Sequence, residues 1–142
     1  MLTDLAINWL GVLVAGIAAM VIGFVWYSPF LFGRAWISAS GINETQVAEM
    51  KKKGMAKTYV FAFLSSLVMS FAVGFLLNVV YVDTLLDAVI LGVITWLGFI
   101  ATVMVGGLLW EGKSPKLVVI NAGHYLTIML TMAIIQYFFL GQ

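Results

Sequence analysis

The sequence contains no cysteine and only one histidine. Disulfides, thiolate metal sites and a cysteine nucleophile are thereby excluded, and no multi-histidine metal centre can form within one chain. A symmetric oligomer would be needed to gather several copies of His124. Charge is also scarce, at 9% of residues against about a quarter in ordinary globular domains. Four long runs, residues 5–33, 58–82, 88–110 and 117–142, hold no Asp, Glu, Lys or Arg at all. No P-loop, Rossmann fingerprint or GxSxG elbow occurs, and no catalytic residue or cofactor is assigned. Nothing supports nucleic-acid binding. Lys51, Lys52 and Lys53 form a smaller cluster than the roughly four to eight cations of a lipid-recognition patch.

What fills the chain instead is apolar: 63% of residues are hydrophobic, and the mean hydropathy is +1.12. A helix rises about 1.5 Å per residue and a bilayer's hydrocarbon core is about 30 Å thick, so each charge-free run holds one crossing. The fold class is therefore all-α, a polytopic membrane protein with four transmembrane helices. The expected spans are 5–27, 58–80, 87–110 and 117–139, in one domain covering residues 1–142. The start differs from a signal peptide, because residues 1–4 carry no basic group and the apolar run that follows is too long.

The placement of charge orients these spans. All seven basic residues lie between spans one and two (Arg34, Lys51, Lys52, Lys53, Lys57) or between spans three and four (Lys113, Lys116). Short basic loops stay in the cytoplasm, so both connections are expected there and both termini outside. The connection at 81–87 carries only Asp83 and Asp87. Ser28-Pro29 closes span one, because proline biases the residue before it away from helix. Residues 30–36 then read as an interfacial piece, with aromatic rings at headgroup depth around Arg34. Asn43-Glu44-Thr45-Gln46 has the form of a capping box and starts a short polar helix that Gly54 should end.

Small residues recur four apart on three spans: Gly11, Ala15, Ala19 and Gly23; Ser66, Ser70 and Gly74; Gly98, Thr102 and Gly106. In lipid, close backbone approach and dispersion hold helices together, so these ladders predict contact seams, within a chain or between chains. Polar residues inside the spans bear most directly on function. Asn121, His124, Thr127 and Thr131 share an arc of roughly 120° on the last span. His124 is either a titratable ligand or relay, or a neutral imidazole bonded to a neighbouring helix; the second needs no titratable partner. Trp96, near the middle of span three, needs an acceptor on another span, and Gln136 is a candidate for helix glue.

Glu111, Asn121, His124, Tyr27, Ser28 and Arg34 can meet in one cytoplasm-facing pocket, with the indoles of Trp26, Trp36 and Trp110 around it. The alternative is an interfacial aromatic belt in which Glu111 pairs with Arg34 or Lys113 to fix loop geometry. The candidate ligand-binding set is Trp26, Tyr27, Ser28, Trp36, Trp96, Glu111, Asn121 and His124.

The segments Asn8-Trp9-Leu10, Trp26-Tyr27-Ser28-Pro29 with Leu31-Phe32-Gly33 and Trp36, Trp96-Leu97-Gly98-Phe99, Glu111-Gly112-Lys113 and Ile120-Asn121-Ala122-Gly123 carry a resemblance. In this order, over nearly the whole chain, they resemble a family of small bacterial membrane proteins catalogued as a domain of unknown function, number seventeen sixty-one. The resemblance implies four membrane helices in a bacterial membrane, expected here to be the inner one with the basic loops cytoplasmic, and implies no activity. It carries over to Asn8, Trp26, Tyr27, Ser28, Pro29, Phe32, Gly33, Trp36, Trp96, Glu111 and Asn121. Where that family is expected to have tyrosine, this chain has His124, so the shared chemistry would rest on Glu111 and Asn121. Three functional classes follow: an oligomeric binding or transport unit for a small or amphipathic molecule, an accessory subunit of a larger membrane complex, and a membrane-embedded enzyme using Glu111 or His124. Membrane lipids and further copies of the chain are the expected partners.

Overall fold

The computed structural model describes residues 7–140. The expected first residues of span one, from residue 5, and the features read at residues 1–4 lie outside the described residues. The described residues are all-helical in their regular structure, with seven α-helices among them forming four hydrophobic rods and two short pieces: α1 (Trp9–Trp26), α2 (Gly33–Ser40), α3 (Glu44–Lys52), α4 (Ala56–Val80), α5 (Leu85–Thr95), α6 (Thr102–Trp110) and α7 (Pro115–Phe139). A π-helical segment, Trp96–Ala101, joins α5 to α6 so that they make one rod, Leu85–Trp110. The four rods are long and apolar enough to cross a membrane.

Local chemistry sets the ends. The Asn8 side chain accepts from the Leu10 and Gly11 amides and starts α1. The box at Asn43 forms in both directions: Asn43 accepts from the Gln46 amide and Gln46 accepts from the Asn43 amide. Gly54 follows α3 with φ +86°, a left-handed conformation that side chains disfavour. A second box, Thr84 with Asp87, opens α5. Ser114 caps α7, with Pro115 in its first turn where no amide partner is needed.

Between α1 and α2 the chain doubles back. The Phe32 amide donates to Trp26 O and the Gly33 amide to Ser28 O. A Cβ on Gly33 would lie 2.7 Å from the Ser28 carbonyl oxygen and closer still to that of Tyr27, so this turn admits only glycine. The interfacial piece expected at 30–36 is therefore a tight turn leading into a helix that runs to Ser40. Phe30 projects fully from it, as an interfacial anchor would.

α7 is the hub, packing against α1, α4, α2 and the α5–α6 rod, while α1 also packs on α4. The shared core is built of small and flexible side chains: Ala15, Ala19, Leu77, Ala88, Met132 and Ala133. Two of the three small-residue ladders lie in these seams. Ser70 Oγ donates to Val12 O and Ser66 Oγ to Gly16 O, tying α4 to α1. Gln136 is indeed glue: its amide nitrogen donates to both Ser70 O and Ser70 Oγ. The third ladder is different. Nothing lies within 4 Å of where a Cβ on Gly98 or Gly106 would be, and Thr102 is exposed.

Candidate functional site

All seven basic residues lie at one end of the bundle, on the connections or in the first turns of α4 (Lys57) and α7 (Lys116), where α1 ends and α2 and α3 sit. Three tryptophans converge there on three consecutive residues of α7. Trp26 Nε1 donates to Ile120 O at 3.1 Å, Trp36 Nε1 to Asn121 Oδ1 at 3.1 Å and Trp96 Nε1 to Ala122 O at 2.9 Å. Each comes from a different element (α1, α2 and the α5–α6 rod), so one short stretch of α7 fixes the relative positions of three neighbours. Tyr27 Oη donates to the same Asn121 Oδ1 at 2.9 Å. Every indole and phenol in this set has its partner, as buried polar handles require.

His124 stands one turn further along α7 and differs from them. It is 8% exposed, and neither ring nitrogen has a hydrogen-bond partner among the described residues. Its ring is caged by Tyr27 at 4.8 Å, Tyr125 at 5.2 Å and Trp26 at 6.0 Å between centroids. A Cβ on Gly23 would lie 3.5 Å from its Nε2, so α1 passes close by on the other side.

Two cavities meet at this point. The first, about 540 Å³, opens between α1, α4 and α7, and its walls include Gly23, Tyr59, Ser65, Met69 and His124. The second, about 590 Å³, lies under α2 and α3, and its walls include Arg34, Trp36, Ile37, Lys51 and Asn121. Tyr27 and Tyr125 line both, so they form the partition. Each volume falls in the range of about 300–1,000 Å³ usual for small-molecule sites. The first mixes apolar side chains with the hydroxyls of Thr58, Tyr59, Ser65 and Ser66 and has no Asp, Glu, Lys or Arg on its walls; the second adds two cations.

The sequence-predicted residues divide accordingly. Tyr27, Trp36, Asn121 and His124 are brought together on the cavity walls, and Arg34 joins them. Trp26, Trp96 and Ser28 line neither: the two indoles brace α7, and Ser28 Oγ donates back to Val25 O at the end of α1. Glu111 lies outside both cavities, half-exposed and ion-paired with Lys113. Trp110 points away from the bundle, 86% exposed. Thr127 donates to Gly123 O of its own helix rather than into a cavity. Tyr125 and Lys51 are wall residues that the sequence reading missed; the first lies one helical turn beyond Asn121, a spacing that marks a shared face.

No curated protein and no solved structure matches the chain. The family described as "Protein of unknown function (DUF1761)" matches residues 10–137, nearly the whole of it. This agrees with the resemblance carried by the tryptophan, Asn121 and Ser28-Pro29 segments, and the chain, with its four membrane-span-like helices, belongs to that family.

Proposed function

We propose that this protein binds an amphipathic molecule taken from the bilayer in the two adjoining cavities, with Tyr27 and Tyr125 as the partition between an uncharged and a cationic compartment. The observation that carries the reading is His124. A buried polar side chain without partners costs about 1–3 kcal/mol, yet here it stands on the wall of a cavity of ligand size. Its imidazole can donate to or accept from a ligand once Tyr27 or Tyr125 rotates aside. An acid–base pair of Glu111 with His124 has no geometric support, because Glu111 faces Lys113 outside both cavities.

The basic end is assigned to the cytoplasmic face of a bacterial inner membrane, on the strength of its Lys and Arg content. Because the chain has no native cysteine, Lys52→Cys gives a unique reporter of this orientation. It should stay unlabelled by impermeant maleimide in intact cells, and labelling from outside would reverse the assignment.

Binding is tested with a palmitic-acid analogue bearing a mid-chain diazirine, photolysed with the full chain in bilayers and mapped by peptide mass spectrometry. Adducts should concentrate on Tyr59, Ser65 and Met69 and fall several-fold in Ala62→Trp, which fills the first cavity from an exposed position. Equal labelling of the outward-facing Phe99 and Val103 would show ordinary lipid contact and defeat the reading.

Assembly, as a homo-oligomer or as a subunit of a larger complex, is a second reading. The open face at Gly98, Thr102 and Gly106 favours it, since a Cβ at either glycine would meet nothing within 4 Å among the described residues and Thr102 is exposed, which suits a helix from outside. Particle mass in detergent decides it: Gly106→Leu should dissociate an assembly built on this face, and a lone chain in the unaltered protein would remove the reading.

A further inference from the structure

We infer that the cavity under α2 and α3 is a site for an anionic headgroup, phosphate or carboxylate in kind, of the amphiphile whose apolar part occupies the neighbouring cavity. This rests on the binding reading above and adds the class of ligand. Arg34 and Lys51 both line the cavity, one from α2 and one from α3, and no carboxylate does. Among the described residues neither cation has an ion pair or a hydrogen bond; of the carboxylates at this end, Glu111 is taken by Lys113, and Glu44 and Glu49 of α3 lie outside the cavity. Two cations on one concave wall repel each other and together favour an anion, which the guanidinium can hold through two parallel hydrogen bonds.

The rest of the wall supports the same occupant. Ile37, Ile42, Val47 and Met50 supply an apolar floor from α2, α3 and the loop between them. Asn121 Oδ1, the partly negative atom of the Asn121 side chain on this wall, already accepts from the Trp36 indole and the Tyr27 hydroxyl. Tyr27 and Tyr125 separate the cationic space from one without charged side chains, and a ligand charged at one end and uncharged along the rest matches both sides of that partition. Arg34 and Lys51 are solvent-exposed but line one concavity, which sets them apart from a diffuse basic surface. Lys52 and Lys53 adjoin Lys51 in sequence but do not line the cavity, and they provide the control.

The test uses the full chain in neutral detergent with phosphatidylglycerol and phosphatidylcholine of identical acyl chains, retained lipid being read by native mass spectrometry. Unaltered protein should prefer phosphatidylglycerol by about thirtyfold, the effect expected of two cations beside one anionic group. Arg34→Gln with Lys51→Gln should reduce the preference to about twofold while phosphatidylcholine retention is unchanged. Lys52→Gln with Lys53→Gln should leave it intact. All four positions are exposed, so folding is not at stake. Equal retention of both lipids by the unaltered protein, or an equal loss from the Lys52 and Lys53 changes, overturns the headgroup assignment. If Ala62→Trp then still abolishes retention of both lipids, the binding reading stands without it; if it abolishes neither, that reading falls too. Inorganic phosphate distinguishes the source of the anion: failure to compete at millimolar concentration identifies a lipid headgroup, and displacement identifies a free phosphate compound held by the same two cations.

Discussion

Gln136 and His124 are both buried polar side chains on α7, 3% and 8% exposed, and they lie about 18 Å apart along its axis. The amide of Gln136 is bonded twice to Ser70, and Gly11 and Gly74 leave room for it: a Cβ on either would come within 2.9 and 3.0 Å of its Oε1. At the other end, His124 is caged by Tyr125 and by Tyr27 and Trp26, the last two with their polar atoms committed to Asn121 and to the Ile120 carbonyl. One end of the bundle is thus closed around its polar group, and the other holds a polar group and a cavity side by side. In lipid a satisfied side-chain bond adds only about 0.6–1.7 kcal/mol, so the Gln136 end owes its strength to packing as much as to hydrogen bonding. The His124 end forgoes some of that packing, and this is the physical basis for placing the function there.

The largest effect should come from overfilling the closed end. Gly74→Leu drives a side chain into Gln136 and is expected to destabilise the protein by about 3 kcal/mol, seen as a lower midpoint in a denaturing-detergent titration. Gln136→Leu keeps the volume and removes two bonds, with an expected loss of about 1–2 kcal/mol. Tolerance of Gly74→Leu would mean that α4 and α7 are looser there than the contacts indicate.

The open end should respond in the other direction. His124→Leu removes two unpartnered nitrogens from an apolar cage and should leave stability unchanged or raise it by about 1 kcal/mol. Diazirine labelling of the cavity should fall in the same variant. A loss of stability as large as that of Gln136→Leu would show that the two ends are alike, with His124 bonded as firmly as Gln136.

Much of the architecture is legible from residue order. The spans expected at 58–80, 87–110 and 117–139 are found as Ala56–Val80, Leu85–Trp110 and Pro115–Phe139, because charge marks where a helix leaves the hydrocarbon and caps add only a turn. The fold-back onto Gly33 is not legible, since it depends on carbonyls brought near by the turn itself. The π-helical segment has no composition of its own. Within the candidate site, Tyr27, Trp36, Asn121 and His124 are legible as candidates because polar atoms within or beside apolar spans demand an explanation. The partners of Trp26 and Trp96 were not foreseeable: they are main-chain carbonyls of Ile120 and Ala122, and every helical residue carries one. Arg34 and Lys51 come from separate helices and meet only through the packing of α2 and α3 over the bundle.

Glu111 gives the smallest expected effect and a useful contrast with both ends. From sequence it belongs with Asn121 and His124, since all three lie near the same border of the bilayer. In the structure it follows α6 in a loop and meets Lys113, with 59% of its side chain exposed and that of its partner 49%. Water screens such a pair and both side chains lose rotamer freedom in forming it, so its net contribution is at most about 1 kcal/mol. Glu111→Gln should therefore shift stability by less than about 0.5 kcal/mol and leave diazirine labelling and the phosphatidylglycerol preference as they were. If instead labelling falls while stability holds, the carboxylate reaches the ligand in the bound state. The loop after α6 would then have to turn toward α7, and the site would extend beyond the two cavities to the third span.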